Sequence, residues 1–309
     1  MSYQPISSRR SWRGNIFPLP RSKAAAGLRS RERYIKLLLF GCASISILAI
    51  LLIIIFIFRE SMPAITKAGF GNLFSTNWNP DQSQFGILAF LNGTILTTLG
   101  GLIIGAPLGI GTAIFLNEIA PKRMGTVIRR GVELLAGIPS VVIGWFGLTI
   151  LVPFIARMTN SSGYGILAAS VVLAVMVLPT ITALSAETLR SLPVELKEAS
   201  LSMGATRWQS IRTVLMPAAR EGILVAVILG MGRAIGETMA VQMVVGNSTQ
   251  LTFSLFKPTA TLTSRMVTDM GEAPPGVFRS SLFAMALVLL FFAMLLILTV
   301  RVIGRKKRA

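Results

Sequence analysis

Residues 37–58 read LLLFGCASISILAILLIIIFIF, 22 residues without a charged side chain. As a helix at about 1.5 Å per residue this run reaches roughly 33 Å, enough to cross a hydrocarbon core of about 30 Å. One such run is compatible with a buried helix in a large soluble protein. Here further apolar segments follow at 87–116, 132–156, 164–184, 222–245 and 281–300. They recur in a chain of only 309 residues that is 53% hydrophobic and 14% charged, with a mean hydropathy of +0.70. Soluble domains carry about one quarter charged residues. The expected fold is an all-α integral membrane protein with six transmembrane helices over residues 37–300.

The distribution of Lys and Arg orients these spans. Residues 1–36 hold nine, 117–131 hold four, 185–221 hold five and 301–309 hold five. The alternate connections, 59–86, 157–163 and 246–280, hold two, one and three, with Arg233 left inside the fifth span. Retained basic residues mark cytoplasmic loops, so this alternation places the N and C termini in the cytoplasm. It also accounts for most of the formal charge of +18 without a nucleic-acid partner. Residues 1–36, rich in Arg, Ser, Pro and Gly, and residues 301–309 are expected as basic cytoplasmic tails, the first disordered and able to touch anionic membrane lipids. On the other side, Phe70, Phe74, Trp78 and Phe85 offer interface anchors within 59–86, and 246–280 forms a second sizeable outer segment.

Several chemistries are disfavoured by what the chain lacks. It has no His, one Cys and two Asp, Asp81 and Asp269. Cys42 lies in the first apolar run as a small hydrophobe. No intrachain disulfide is available, no His or Cys cluster presents itself for a metal, and no cofactor is expected. No GxxxxGK[ST] phosphate loop occurs either, and the chain is expected to be non-catalytic.

Two segments stand out from the spans. The connection 185–221 reads SAETLRSLPVELKEASLSMGATRWQSIRTVLMPAARE and is too patterned for a simple turn. A helix-compatible stretch follows Pro193, Gly204 permits a turn, and Trp208, Ile211 and Leu215 then share a helical face, with Pro217 opening the next helix. This is either an interfacial connection or a rigid knob offered to a cytoplasmic partner. In the fifth span, Arg233 and Glu237 are one helical turn apart, beside a small-residue stripe of Gly232, Gly236 and Ala240. A charge at the centre of a membrane helix costs roughly 2.5–3.5 kcal/mol on an insertion scale. The pair is therefore either a structural ion pair or part of a substrate pathway in which Arg233 meets an oxyanion and Glu237 orients it. Weaker pathway candidates are Glu133, Asn92, Thr94, Thr97 and Thr98. Asn117 and Glu118 are expected to cap a helix or face solvent.

Glu198-Ala199-Ser200, Gly204 and Val214-Leu215-Met216-Pro217 resemble the cytoplasmic coupling loop of type I ATP-binding-cassette importer permeases. That motif begins Glu-Ala-Ala, places Gly four residues after the second Ala and ends Ile-x-Leu-Pro. Ser200, Val214 and Met216 depart from it. VELLAGIPSVVIGWFGL at 132–148, KEASLSMGATRW at 197–208, GRAIGETMAV at 232–241 and, more weakly, TLTSRMVTDMGEA at 261–273 are similar to the phosphate-importer permeases of that family. The resemblance implies a heteromeric bacterial inner-membrane importer: a PstA-like sister permease, two cytoplasmic ATP-binding subunits and an external phosphate-binding protein. It implies that Glu198 to Pro217 dock on the ATPase and that Arg233 and Glu237 serve phosphate passage. A permease for another oxyanion such as molybdate or sulfate is the nearest alternative. An independent channel or secondary transporter is disfavoured by the coupling segment. A sensing or assembly subunit would leave transport unaffected when the pathway is altered.

Overall fold

The computed structural model describes residues 23–305. Of the two tails expected at 1–36 and 301–309, positions 1–22 and 306–309 lie outside the described residues. The chain is already helical from Lys23, inside the segment expected as an irregular tail.

Helix α1 spans Lys23–Pro63 and is extended by a π-helical turn at Ala64–Ala68. Two compact units divide within it, after Ile55, and the helix bundle belongs to the second. Short α2 (Phe70–Leu73) leads into a small antiparallel pair, β1 (Trp78–Asn79) and β2 (Gln84–Phe85), with Trp78 opposite Phe85. Helix α3 (Leu88–Ile114) ends in a π-helical turn at Phe115–Ile119, and α4 covers Lys122–Gly137. Helices α5 (Ser140–Phe146) and α6 (Val152–Thr159) are joined through a π-helical turn into one rod, and α7 covers Ile166–Arg190. The connection after it folds into α8 (Val194–Ser202) and α9 (Arg207–Gln209). The latter runs without a break through a π-helical turn at Ser210–Leu215 into α10 (Met216–Ile235). The chain closes with α11 (Met239–Val245), α12 (Leu262–Met270) and α13 (Val277–Arg305).

Among the described residues six helices are long and apolar enough to cross a membrane. They run Ile35–Lys67, Leu88–Ile119, Ser140–Thr159, Ile166–Arg190, Arg207–Ile235 and Val277–Val300. The first span runs on to Lys67 rather than 58, and the third and fifth also depart from the sequence expectation. The third span does not start at 132, because Ile138 and Pro139 take extended conformations (ψ 128° and 140°) and separate α4 from α5. Proline disfavours helical geometry in the residue before it, and Ile138 follows that rule. The fifth span starts at Arg207 rather than 222 and ends at Ile235 rather than 245. Pro217 does not interrupt it: the preceding π-helical turn ends at Leu215, and Pro217 sits in the first turn of α10.

The centre of the bundle is the seam between α3 and α7. Lipid tails are as apolar as Leu, so helices associate there by close packing rather than by the hydrophobic effect. Small residues on α3 make that packing available: Gly101 lies against Leu173, Gly105 against Val177 and Ala174, and Gly109 against Ile181. The positions advance by four on both helices in the same direction, so the two spans run parallel. Two hydroxyls cross the seam, Ser170 donating to the carbonyl of Thr97 (3.4 Å) and Thr182 to that of Gly109 (3.2 Å). A second core gathers Trp78, Phe85, Ile87, Phe90, Leu262, Leu282 and Met285, joining the β1–β2 hairpin to α3, α12 and α13.

A Cβ at Gly105 would lie 2.7 Å from a Val177 methyl, whereas one at Gly111 would meet nothing within 4 Å. Gly105→Leu is therefore expected to lower stability by about 1–3 kcal/mol, the range for overpacking. Gly111→Ala is expected to be neutral or slightly stabilising, because Ala is the better helix former. Thermal melting of the detergent-solubilised chain, read by tryptophan fluorescence, checks both.

Candidate functional site

Arg233 and Glu237 do not form the pair expected of them. Gly236 ends α10: its amide donates to the Gly232 carbonyl, that of Glu237 to Ala234, and the helix stops. The one-turn spacing therefore no longer puts the two side chains on a common face. Glu237 instead turns forward, and its Oε1 accepts from the amide of Ala240 at 3.2 Å, in the first turn of α11. A carboxylate is favoured there by the exposed amides of a helix start. The Glu237 carbonyl accepts from the Thr263 hydroxyl (2.9 Å), which ties the break to α12.

Arg233 is exposed on the isolated chain. Its guanidinium donates through Nη1 to Oγ1 of Thr180 at 3.3 Å. Thr180 follows Pro179 near the middle of α7, so this charge sits at the depth of the spans. Guanidinium has five N–H donors, and one neutral acceptor leaves most of that capacity unused. A charge so placed needs water, an anion or another chain. The neighbouring cavity of about 290 Å³ is apolar, lined by residues including Thr94, Ile95, Met231, Leu289 and Phe292, and does not take in Arg233 or Glu237. Nor do Gly232 and Gly236 meet a closely packed helix within this chain: a Cβ at Gly232 would come no nearer than 4.0 Å to Leu296.

The 185–221 connection is a helix–turn–helix. Gly204 takes φ +85°, with its amide on the Leu201 carbonyl and that of Ala205 on Ser200, closing the end of α8. Thr206 then caps the next helix in a reciprocal box with Gln209. The Ser200 and Ser210 hydroxyls bond at 2.5 Å, so the residue that departs from the Glu-Ala-Ala pattern staples the two helices together. Ile211 and Leu215 are buried as the periodicity predicts, but Trp208 is 61% exposed. Val194 and Met203, just before the fifth span, are exposed apolar side chains as well. Glu198 and Ala199 lie in α8, and Pro217 at the start of α10.

The weaker candidates are bonded within the chain, are buried or lie elsewhere. Glu133 is exposed on α4, outside the third span. Asn92 donates to the Thr252 carbonyl (2.8 Å), and Thr97 to that of Gly93. Thr94 donates to Phe90 and accepts from the amide of Leu262, and Thr98 is buried. Glu118 does not face solvent: it pairs with Lys197 of α8 at 2.6 Å, while Asn117 donates to the Ala186 carbonyl.

A cluster away from Arg233 escaped the sequence reading. Arg265 and Asp269, at i and i+4 on α12, lie 2.8 Å apart, though Nε and Oδ2 are not aligned as a hydrogen bond. The guanidinium stacks over Trp78 and Phe90. The spacing is a visible ion-pair signal. The burial came from Trp78, an anchor in sequence terms but a core residue here.

A family described as binding-protein-dependent transport system inner membrane component matches residues 105–309. The chain is 44% identical over 280 residues to a probable ABC transporter permease protein, YqgH, of Bacillus subtilis, covering 88% of this chain and 91% of that one. It is 37% identical over 265 residues to the phosphate transport system permease protein PstC of Mesorhizobium japonicum, covering 79% and 81%. Among solved structures, a bacterial alginate ABC transporter in complex with its oligosaccharide-bound periplasmic protein contains a chain with a TM-score of 0.65 at 15% identity, covering 89% of this chain and 96% of that one. An inward-facing MetNI methionine ABC transporter gives 0.52 at 23%, covering 71% and 94%. At these identities the two structures show a shared fold.

Two outcomes test the geometry. Burial pushes the Asp269 carboxyl above its ordinary value of 3.8, against the pull of Arg265. The folded chain then binds that proton more tightly than the unfolded chain does. Stability is expected to fall as pH rises from 3.8 through the raised value, and to level off above it. Asp269→Asn should flatten that slope in melting temperatures measured across the window. Gly204→Leu meets no atoms but must hold a left-handed backbone, at a cost of about 1–2 kcal/mol. Binding of the ATPase subunits to the purified permease is expected to weaken, and unchanged binding would show that this turn does not shape the docking knob.

Proposed function

Because the chain belongs to the binding-protein-dependent inner membrane components of ABC importers, we propose that it is the permease subunit through which phosphate passes. The coarser role is direct: a multi-pass, non-catalytic permease subunit coupled to a cytoplasmic ATPase. In that role the helix–turn–helix at 194–217 is the docking element, its exposed Val194, Met203 and Trp208 ready to be covered by the ATPase. The basic connections lie on the same side as this element, which supports a cytoplasmic position for both termini.

The observation that carries the phosphate reading is Arg233, exposed beside the middle of α7 with one neutral acceptor. A sister permease closing over that face would place the guanidinium inside a pathway rather than in lipid. There its planar donors suit a tetrahedral oxyanion. Thr180 takes one donor and holds the group in place. Glu237, committed to α11, sets the helix break beside Arg233 instead of neutralising it. An unneutralised Arg lowers the barrier for an anion, while its single charge in a wide path keeps the well shallow enough for release. Tight selection would then rest with an external phosphate-binding protein. The relatives named as phosphate permeases support the substrate. Sulfate or molybdate would use the same donors, so substrate choice is a matter for competition.

In proteoliposomes containing the complete complex, Arg233→Gln is expected to lower phosphate uptake by about ten- to a hundredfold, the worth of a charged hydrogen bond. Arsenate should compete with phosphate in the unaltered complex, and sulfate and molybdate should not. Normal uptake by an assembled Arg233→Gln complex would return this residue to a structural role.

A further inference from the structure

We propose that the Glu118–Lys197 ion pair is a coupling strut that delivers motion of the docking helix α8 to the second span. Covalent connection already joins α8 to the fourth and fifth spans, since it lies between α7 and α10. Nothing in the chain order joins it to α3. The ion pair does so. Three ion pairs form among the described residues, and the other two link neighbours on one helix at i,i+3 and i,i+4. Glu118 instead passes over Lys122 and Arg123, nearer in sequence, to reach Lys197 on a separate element at 2.6 Å.

The surroundings make this contact directional. The Glu118 side chain is 11% exposed and that of Lys197 39%, so the carboxylate is nearly enclosed. Removing one partner from an enclosed pair leaves an uncompensated charge, which fixes the partner's choice more strongly than a surface pair would. The adjacent residue reinforces the junction: Asn117 Nδ2 donates to the Ala186 carbonyl at 2.9 Å and to that of Ala113 at 3.1 Å. The end of α3 is thereby held both to the end of α7 and to α8. Along their length α3 and α7 are already locked by the glycine seam. A displacement of α8 by an ATPase is therefore passed to α3 and α7 as one body, and Glu118 and Lys197 act as positioning residues.

The test uses the complete reconstituted complex, with Cys42→Ser as background and Gly111→Cys as a reporter in the open position on α3. Labelling of that cysteine by an impermeant maleimide is compared with and without ATP, alongside ATP hydrolysis, so no readout depends on phosphate as substrate. The unaltered pair is expected to show ATP-dependent labelling. Lys197→Gln and Glu118→Gln should each lose it by about fivefold or more, the lower range of a site-to-site coupling, while ATP hydrolysis persists. The double exchange Glu118→Lys with Lys197→Glu should restore it. Absence of ATP-dependent labelling with the pair intact, or its survival in both single variants, overturns the strut. So does loss in the single variants without rescue by the exchange, the pattern expected if Lys197 merely touches the ATPase. Should a single variant fail to assemble, the assembled exchange variant decides by the presence or absence of coupled labelling.

Discussion

The close approach of α3 to α7 is the constraint on which the remaining architecture depends. In a bilayer there is little to gain from transferring one apolar surface onto another, so contact distance decides which helices associate. Gly101, Gly105 and Gly109 remove the side chains that would hold the two backbones apart, and Leu173, Val177 and Ile181 fill the resulting groove. Ser170 and Thr182 then find carbonyl acceptors across a gap that larger residues would have opened. With these two parallel spans fixed, Thr180 is held at a defined depth beside α10, and the ends of both helices meet α8 on one side of the bundle.

Much of this was legible in one dimension. Hydropathy and the alternation of basic residues depend on local composition, and six spans follow from them without knowledge of any contact. The helix–turn–helix of the 185–221 connection was likewise readable, because Gly204 and the capping residues Thr206 and Gln209 act within a few positions of one another. The family resemblance rested on the same short stretches, and the relatives at 44% and 37% identity place the chain among the ABC-importer permeases.

The misreadings share a different physical origin. Placing Arg233 and Glu237 on one face required an uninterrupted helix, and Gly236 breaks it. Starting the third span at 132 required hydropathy to override Pro139, which it does not. Glu118 was expected to cap a helix or face solvent, since no local pattern announces a contact with Lys197 two spans further along the chain. Arg265 and Asp269 carried a visible spacing, yet their burial depends on Trp78 folding back over them. Long-range burial is the property that a linear reading supplies least well.

The unbroken passage from α9 through α10 has a mechanical consequence. The proposed docking surface and the charge proposed to meet the anion lie on one rod, Trp208 near its first residue and Arg233 near its last. Arg207 and Arg233 are about 39 Å apart along it, so a tilt of about 5° about the docking end sweeps Arg233 by about 3 Å. That travel is comparable with the 3.3 Å separation of Arg233 from Thr180. Ser210, bonded to Ser200 of α8, lies near that end, so a small rotation at one end of the span would be enough to engage or release a single hydrogen bond beside the middle of α7.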